Sequence, residues 1–124
     1  MSAILLVGIG GAIGSILRYL IGIIPIGGVT YFPVKTLFIN VIGSFCIGLV
    51  TAFALKYQSL NPNLVLMLKV GVCGGFTTFS TFSYETVMLF NEGRGMMAII
   101  YIIASIILSI IFIYFAFELV GVGI

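Results

Sequence analysis

The residues that could carry out chemistry in this chain are concentrated in one stretch of an apolar segment, from Gly74 to Ser83. Two adjacent glycines are followed there by three phenylalanines and five hydroxyl residues within eight positions. Glycines give the backbone extra conformational freedom. Within a membrane, an irregular backbone with clustered hydroxyls occurs only where it packs against protein or lines a polar pathway. The stretch is therefore the first candidate for a place where a solute crosses a membrane.

Polar side chains also recur at helical spacing in two other segments. Asn40 lies one turn after Thr36, so both side chains fall on one helical face, and Ser44 extends that face by another turn. A membrane asparagine commonly joins helices and a helical hydroxyl commonly bonds its own backbone, so structural and ligand-binding roles are both open. The second stripe consists of three hydroxyl residues, each one turn from the next: Tyr101, Ser105 and Ser109.

Two charged residues lie within or beside the apolar segments. Arg18 stands late in the first segment, where its side chain either reaches the nearby interface or serves a functional site. Glu85 follows the glycine–hydroxyl stretch and shares one polar helical face with Thr78 and Thr81. For both charged residues, a structural and a functional interpretation remain open.

The composition excludes several classes of function. With 62% apolar and 6% charged residues, the chain lies far outside the usage of soluble proteins. It has no His and no Asp, so a Ser-His-Asp triad, a histidine-bearing zinc site and an aspartate dyad are ruled out, and no enzyme is expected. Its five basic residues are scattered singly, which gives nucleic acid no electrostatic footprint. Cys46 and Cys73 fall inside apolar stretches and are expected to be free thiols.

The glycine-rich segment from Gly8 to Gly14 resembles a nucleotide-binding loop only superficially. Its spacing is not G-x-G-x-x-G, and no acidic residue follows about 20 positions later to meet a ribose. Nucleotide binding, and with it ATP-driven pumping, is therefore not expected. The segment instead places small residues at the spacing that lets membrane helices pack closely, in two pairs: Gly10 with Gly14, and Gly11 with Ser15.

Hydropathy predicts an all-α integral membrane protein with a single four-helix domain over residues 1–124. About 20 apolar residues cross the hydrocarbon core once. No basic segment precedes Ala3 and no clear cleavage site follows the first apolar segment, so a cleavable signal is not expected. The four predicted spans are 3–24, 36–55, 64–90, with a break near 74–78, and 96–117.

The basic residues do not fix the orientation of the four spans. Lys56 and Lys69 lie toward the side of the termini, whereas Lys35 and Arg94, with Arg18, lie toward the other side. Because the two sides carry nearly equal numbers of basic residues, the positive-inside rule favours neither orientation, and we expect insertion in both. Two oppositely oriented copies could then pair about a two-fold axis. Four short spans also enclose little volume, which favours an oligomer over a pore within one chain.

The polar residues provide a lining rich in hydrogen-bond donors. Phe79 and Phe82 stand three residues apart on one side of a helix, and their ring edges carry positive quadrupole that attracts a small anion. Ordinary phenylalanine packing is the alternative. Hydroxyls accept as well as donate, so the lining alone does not establish an anion path. Its other members are the Asn40 amide, Arg18, and the hydroxyls of Thr36, Ser80, Thr81, Tyr101, Ser105 and Ser109.

Three motifs resemble the Fluc (CrcB) family of fluoride channels. The motif in the third span is highly specific, and the other two lie in the first and second spans. They are Gly74-Gly75-Phe76-Thr77-Thr78-Phe79-Ser80-Thr81-Phe82-Ser83-Tyr84-Glu85, Gly11-Ala12 with Arg18-Tyr19, and Asn40 with Gly43-Ser44-Phe45. The resemblance extends over all four spans.

The resemblance implies a passive fluoride-selective channel that exports cytoplasmic fluoride across the cell membrane and so relieves fluoride toxicity. It also implies an antiparallel, dual-topology homodimer with two fluoride pathways. By the same resemblance, Phe79 and Phe82 correspond to the phenylalanine box and Asn40 to the pore asparagine. The residues that correspond to the polar track are Thr36, Tyr101, Ser105 and Ser109.

A structural sodium ion at the dimer centre is a further implication of the resemblance. The family holds it through backbone carbonyls at the break of the third helix, and here those positions are Gly74 and Thr77 of both subunits. Carbonyls freed by a helix break are hard oxygen ligands, which suit a small hard cation.

Two other functions compete with a fluoride channel. A small multidrug-resistance-type transporter also has four short spans and dual topology, but its proton-coupled mechanism requires a carboxylate in the first span. Here the first span has Arg18 and no acid, and Glu85 is the only acidic residue with an interior position. A non-transporting helper subunit held by small-residue packing would not need the polar stripes.

Overall fold

The computed structural model describes residues 2–26 and 30–123, and four long apolar helical segments dominate it. The first two helices are α1 (Ala3–Gly22) and α2 (Val34–Lys56), and the last is α6 (Gly95–Val120). The described residues contain no strand, and the third span is interrupted, so the all-α fold with a broken third helix is confirmed. That third span, Pro62–Asn91, is divided into α3 (Pro62–Leu66), a π-helix (Met67–Cys73), α4 (Gly74–Phe76) and α5 (Phe79–Asn91).

Lysines at the two ends of α2 bond the C-terminal ends of two other helices. Lys35 donates from Nζ to the carbonyl of Gly22 at 2.7 Å, and Lys56 donates from Nζ to the carbonyl of Val120 at 2.7 Å. A cation at a helix C-terminus satisfies the last carbonyls and opposes the negative end of the helix dipole. α1 thus ends at Gly22 rather than at the predicted 24, and α6 continues to Val120 rather than 117.

Glycines allow α1 to lie in backbone contact with the third span. A Cβ atom at Gly10 would come within 2.6 Å of the Met67 carbonyl oxygen, and one at Gly71 within 2.9 Å of the Gly10 Cα. Gly14 is equally enclosed by the backbone of the third span. The predicted pair Gly10 and Gly14 therefore makes a close helix contact. Its counterpart on the third span is the small-residue pair Gly71 and Gly75, which was not among the predicted packing pairs.

Contacts near the loops establish which ends of the spans lie together. The guanidinium carbon of Arg94 lies 3.4 Å from the centre of the Tyr31 ring, so the loops after the first and third spans share one end of the bundle. The hydrogen bond from Lys56 to Val120 places the second loop beside the C-terminal end of α6. This arrangement agrees with the predicted order of four alternating spans. Residues 27–29 of the predicted first loop lie outside the described part of the chain.

The interior of the single chain is small and its outer surface is apolar. Among the described residues, Tyr101 is the one large side chain that is completely buried, and it belongs to a cluster with Leu89 and Ala98. Most large apolar side chains of the spans are exposed instead, Ile4 and Ile107 among them. A surface of this kind faces lipid or a partner subunit in a membrane protein.

Candidate functional site

The third span is interrupted at Thr77 and Thr78, where the backbone is extended. Thr77 has φ −80° and ψ 159°, and Thr78 has φ −150° and ψ 118°. α5 begins directly afterwards at Phe79, and the Thr78 hydroxyl caps it by accepting from the Thr81 N–H at 3.1 Å. The break expected near 74–78 therefore lies at the last two of those positions.

The glycine pair before the break does not supply the conformational freedom that the sequence suggests. Gly74 is helical, with φ −64° and ψ −39°, and among the described glycines only Gly93 and Gly121 have positive φ. A Cβ atom at Gly75 would lie 2.5 Å from the Gly11 carbonyl oxygen of α1. Gly75 thus permits the close approach of α1, and the two threonines that follow make the break.

Asn40 of α2 pairs with the break through both ends of its amide. Its Nδ2 donates to the Thr78 carbonyl at 3.0 Å, and its Oδ1 accepts from the Thr78 N–H at 2.8 Å. A backbone carbonyl only accepts and a backbone N–H only donates, so this pairing also determines the orientation of the amide. Nδ2 carries two N–H groups, and the second one makes no hydrogen bond within the described residues.

Some backbone carbonyls at the break have no hydrogen-bond partner within the described residues. In an unbroken helix, the Thr78 N–H would bond the Gly74 carbonyl, but a side-chain amide of α2 accepts it instead. Likewise the Thr81 N–H would bond the Thr77 carbonyl, but the Thr78 hydroxyl accepts it. Because free carbonyl oxygens bind small hard cations, the residues present fit the predicted cation ligands. The Thr77 carbonyl receives no hydrogen bond within the described residues, and the Gly74 carbonyl lacks its helical donor, the Thr78 N–H.

A cavity of about 400 Å³ opens beside the break, and we call it the break cavity. No charged side chain of the described residues lines it. Its wall contains the rings of Phe79 and Phe82 and a set of small polar side chains. The polar members are Asn40, Ser44, Thr77, Thr78, Ser105 and Ser109.

The two phenylalanine rings connect the mouth of the break cavity to the protein interior. Phe79 is 80% exposed on the single chain, and its ring centre lies 5.7 Å from that of Phe82, with the planes inclined at 48°. The Phe82 ring centre lies 5.1 Å from that of the buried Tyr101. Tilted pairs of this kind are ordinary aromatic packing. Such packing does not account for the high exposure of Phe79. This exposure leaves the Phe79 ring free to contact a solute or a second protein surface.

A second cavity, of about 600 Å³, gathers charged residues of the spans, and we call it the charged cavity. Arg18, Lys35 and Glu85 line it together with the hydroxyl residues Thr36 and Thr81. Thr36 is buried, and Thr81 lies one turn before Glu85 on α5. The polar face predicted around Glu85 therefore borders this cavity.

Both charged residues whose roles the sequence leaves open make hydrogen bonds inside the bundle. Arg18 donates from Nε to the Gly75 carbonyl at 3.2 Å, which joins α1 to the segment before the break. Glu85 accepts from the Tyr101 hydroxyl at 3.0 Å, which joins α5 to α6. Each side chain therefore has a structural contact and also borders the charged cavity.

The hydroxyls near the cavities differ in whether they have a partner. Ser105 Oγ is buried and has no hydrogen-bond partner within the described residues. Ser83 and Thr86, by contrast, donate to carbonyls one turn earlier in α5, at 2.9 and 2.8 Å. A buried polar atom without a partner costs about 1–3 kcal/mol. The unpaired hydroxyl of Ser105 therefore indicates a position where the break cavity receives a water molecule or a ligand.

The structure distributes the predicted site residues over the two cavities. The break cavity is lined by Asn40, Gly74, Thr77, Phe79, Phe82, Ser105 and Ser109. The charged cavity is lined by Arg18, Thr36, Thr81 and Glu85. Two predicted residues line neither cavity. Tyr101 contacts Phe82 and Glu85 and so lies between the cavities. Ser80 is exposed, and its Oγ lies 3.4 Å from the Thr78 Oγ1.

Several residues that line the cavities are missing from the predicted set, among them Ser44 of the break cavity and also Thr78 and Lys35. Among the described residues, only Thr78 lines both cavities, and its position on the polar face with Thr81 and Glu85 could have indicated this. Lys35 borders the charged cavity, but its position in the predicted loop before the second span gave no indication of this.

Four apolar spans, one of them broken at mid-length beside a neutral polar cavity, define a multi-pass membrane protein of the channel and transporter class. The model of the family "CrcB-like protein, Camphor Resistance (CrcB)" matches residues 5–117, and the chain belongs to this family.

Relatives with similarity over nearly the whole chain carry one name, "Fluoride-specific ion channel FluC". The protein from Rhizobium meliloti (strain 1021) is 44% identical over 115 residues, which cover 92% of each chain. The protein from Thermus thermophilus is 43% identical over 122 residues, 98% of this chain and 97% of its own. The protein from Chlorobaculum tepidum is 45% identical over 107 residues, 86% and 84% of the two chains.

Proposed function

We propose that this protein is a passive, fluoride-selective ion channel of the cell membrane, which exports cytoplasmic fluoride and so relieves its toxicity. Three relatives that share 43–45% identity with this chain are named fluoride-specific ion channels. The observation that carries the proposal is the break cavity, a neutral polar cavity in which the Ser105 hydroxyl is buried without a partner.

The lining of the break cavity suits a small anion. Fluoride is strongly hydrated, so a pathway has to offer groups that replace most of its water shell. The break cavity offers the second N–H of Asn40, the hydroxyls of Ser105 and Ser109, and the rings of Phe79 and Phe82. None of these groups is charged, so each stabilises an anion without holding it too tightly to leave.

The proposed pathway connects the break cavity with the charged cavity. Tyr101 lies between them, with its ring on Phe82 and its hydroxyl on Glu85. In the charged cavity, the cations Arg18 and Lys35 raise the local concentration of anions, and hydroxyls line the wall.

We infer that two copies assemble as an antiparallel homodimer. Phe79 and Ser80 are exposed on the single chain, although both belong to the predicted pathway. A second copy in the opposite orientation would cover them and close the break cavity, and a two-fold axis would then create two pathways. The balanced distribution of basic residues between the two ends of the spans supports insertion in both orientations.

The proposal includes a structural sodium ion at the centre of this dimer. The carbonyls of Gly74 and Thr77, whose helical donors bond to other acceptors, would hold it together with the same carbonyls of the second copy. Nothing lies within 4 Å of the Cβ position of Gly74, which leaves room for the second copy to approach. When bound, the cation neutralises the carbonyl dipoles where the two breaks meet and makes the local potential more favourable for an anion.

A proton-coupled transporter of the small multidrug-resistance type is the rival. It requires a carboxylate in the first span, where α1 has Arg18 and no acid. Glu85 lies on α5 and accepts a hydrogen bond from Tyr101. A channel needs no catalytic step, so we do not propose an enzymatic activity.

Fluoride efflux from liposomes tests the proposed function. Purified protein is reconstituted with potassium fluoride inside, valinomycin carries the compensating potassium current, and a fluoride electrode records efflux. We expect rapid efflux of fluoride, and none of chloride in a parallel measurement. Efflux equal to that of protein-free liposomes, together with uptake of a drug cation driven by a proton gradient, would support the transporter instead.

A further inference from the structure

The hydrogen bonds at the break give Asn40 a role beyond lining a pathway. We propose that the Asn40 amide is a positioning group for the cation site: by accepting the Thr78 N–H, it withholds the donor that would otherwise close the helix onto the Gly74 carbonyl. That carbonyl consequently stays available to a cation. The inference rests on the sodium site of the proposed function and deepens it.

The geometry of the Asn40 amide carries the first step of the argument. A helical N–H bonds the carbonyl four residues earlier, so the Thr78 N–H is the natural partner of the Gly74 carbonyl. It bonds Asn40 Oδ1 instead, at 2.8 Å, while Asn40 Nδ2 holds the Thr78 carbonyl at 3.0 Å. Two hydrogen bonds from one amide to one residue hold Thr78 in its extended conformation.

The remaining donors at the break are also directed away from the candidate cation ligands. The Thr81 N–H bonds the Thr78 hydroxyl at 3.1 Å, which leaves the Thr77 carbonyl free. The Thr77 N–H and the Thr77 hydroxyl both donate to the Cys73 carbonyl, at 3.0 and 2.9 Å. The Cys73 carbonyl therefore receives two donors, whereas the Gly74 carbonyl does not receive the Thr78 N–H and the Thr77 carbonyl receives no donor within the described residues.

The two roles of Asn40 use different atoms, so substitutions can separate them. Holding the Thr78 N–H requires an acceptor, which is Oδ1, whereas contact with an anion requires the free N–H of Nδ2. Asn40→Ala removes both groups. Asn40→Asp retains an acceptor for the Thr78 N–H but loses the donor and adds a negative charge.

The sequence offers a direct spectroscopic probe of the break. Thr77-Thr78 is the only pair of adjacent threonines in the chain. In protein with isotope labels at threonine carbonyl carbons and amide nitrogens, a single cross-peak therefore joins the Thr78 N–H to the Thr77 carbonyl. We would record this cross-peak for the full chain in lipid nanodiscs without fluoride, titrate sodium against N-methylglucamine, and measure hydrogen exchange of the Thr78 amide.

Unmodified protein should show slow exchange of the Thr78 amide and a sodium-dependent shift of the cross-peak. Asn40→Ala should raise the half-saturating sodium concentration about tenfold, because the Thr78 N–H then competes with the cation for the Gly74 carbonyl, and exchange of the Thr78 amide in this variant should become faster as sodium is added. Asn40→Asp should keep slow exchange and a sodium midpoint no higher than that of the unmodified protein, because the carboxylate still accepts the Thr78 N–H and its charge favours a cation, although fluoride efflux falls. Ser44→Ala is the matched control, since Ser44 follows one turn later on α2 and lines the same cavity without a hydrogen bond to the break.

An unchanged sodium midpoint in Asn40→Ala, or exchange of its Thr78 amide that does not respond to sodium, overturns the inference, and so does an unmodified protein whose cross-peak does not shift with sodium. If Asn40→Ala does not fold, as judged from the other threonine amide signals, Asn40→Asp decides, and fast exchange of its Thr78 amide is then the contradicting result. Fluoride efflux is a separate readout. Absence of efflux from unmodified protein with an intact sodium response rejects the proposed function and leaves this inference standing.

Discussion

The break cavity and the charged cavity share Thr78 but are lined by different kinds of polar group. The charged cavity lies beside the C-terminal end of α1, where Lys35 bonds the Gly22 carbonyl, and it also contains Arg18 and Glu85. The break cavity lies at the midpoint of the third span and has no charged side chain among the described residues. A side-chain charge costs more free energy the deeper it lies in a bilayer. The deep cavity accordingly relies on dipoles and the shallower one on charges.

In the proposed channel, this difference would assign attraction of the anion to the charged cavity and selection of the anion to the break cavity. Full charges act over long distances and are screened by salt. Hydrogen-bond donors act only at contact, where the size of the ion matters. Substitutions in the break cavity should therefore change fluoride flux most, and substitutions in the charged cavity should mainly change how flux depends on ionic strength.

The largest effect is expected for Asn40→Asp and Phe79→Ile. Each removes a group that we propose contacts fluoride, and each should lower efflux about a hundredfold, which corresponds to roughly 3 kcal/mol. The dimer should persist on size-exclusion chromatography. Phe53→Ile is the control, because Phe53 lies on α2 outside both cavities and should leave efflux unchanged. Unchanged flux in both test variants would remove Asn40 and Phe79 from the pathway.

An intermediate effect is expected for Ser105→Ala. Loss of one hydroxyl donor should lower efflux about tenfold. The thermal unfolding temperature should be unchanged or slightly higher, because the hydroxyl that is removed is buried and has no partner within the described residues. Ser83→Ala removes a hydroxyl that bonds its own helix and should leave efflux unchanged. Equal losses of flux in the two serine variants would mean that the break cavity is not where Ser105 acts.

The smallest effects are expected in the charged cavity. At low ionic strength, Lys35→Gln should lower efflux and Glu85→Gln should raise it, each about threefold, because one removes an attractive charge and the other a repulsive one. The glutamine oxygen still accepts from the Tyr101 hydroxyl, so the link between α5 and α6 should survive. Both differences should shrink in molar salt. If the ratio of variant efflux to unmodified efflux did not change with salt concentration, this would contradict a role for these charges in attracting fluoride.

Some local features were predictable from residue types alone, and others were interpreted wrongly. The position of the break was predicted because hydroxyls and glycines cluster there, but its cause was not. Gly74 is helical and Gly75 serves close packing against Gly11, whereas Thr77 and Thr78 carry the extended backbone. Glycine content indicates where a backbone could bend, but packing against α1 decides what each glycine does.

The sequence by itself determined the four spans, the all-α class and the family, because hydropathy and motif spacing are properties of neighbouring residues. Only the tertiary structure decided which polar groups are paired. Asn40 and Thr78 meet across 38 residues of sequence, and within the described residues the Ser105 hydroxyl has no partner, whereas those of Ser83 and Thr86 each bond a carbonyl. Such pairings depend on how α2, α5 and α6 pack together, and a hydrogen bond forms only where packing brings donor and acceptor within about 3 Å.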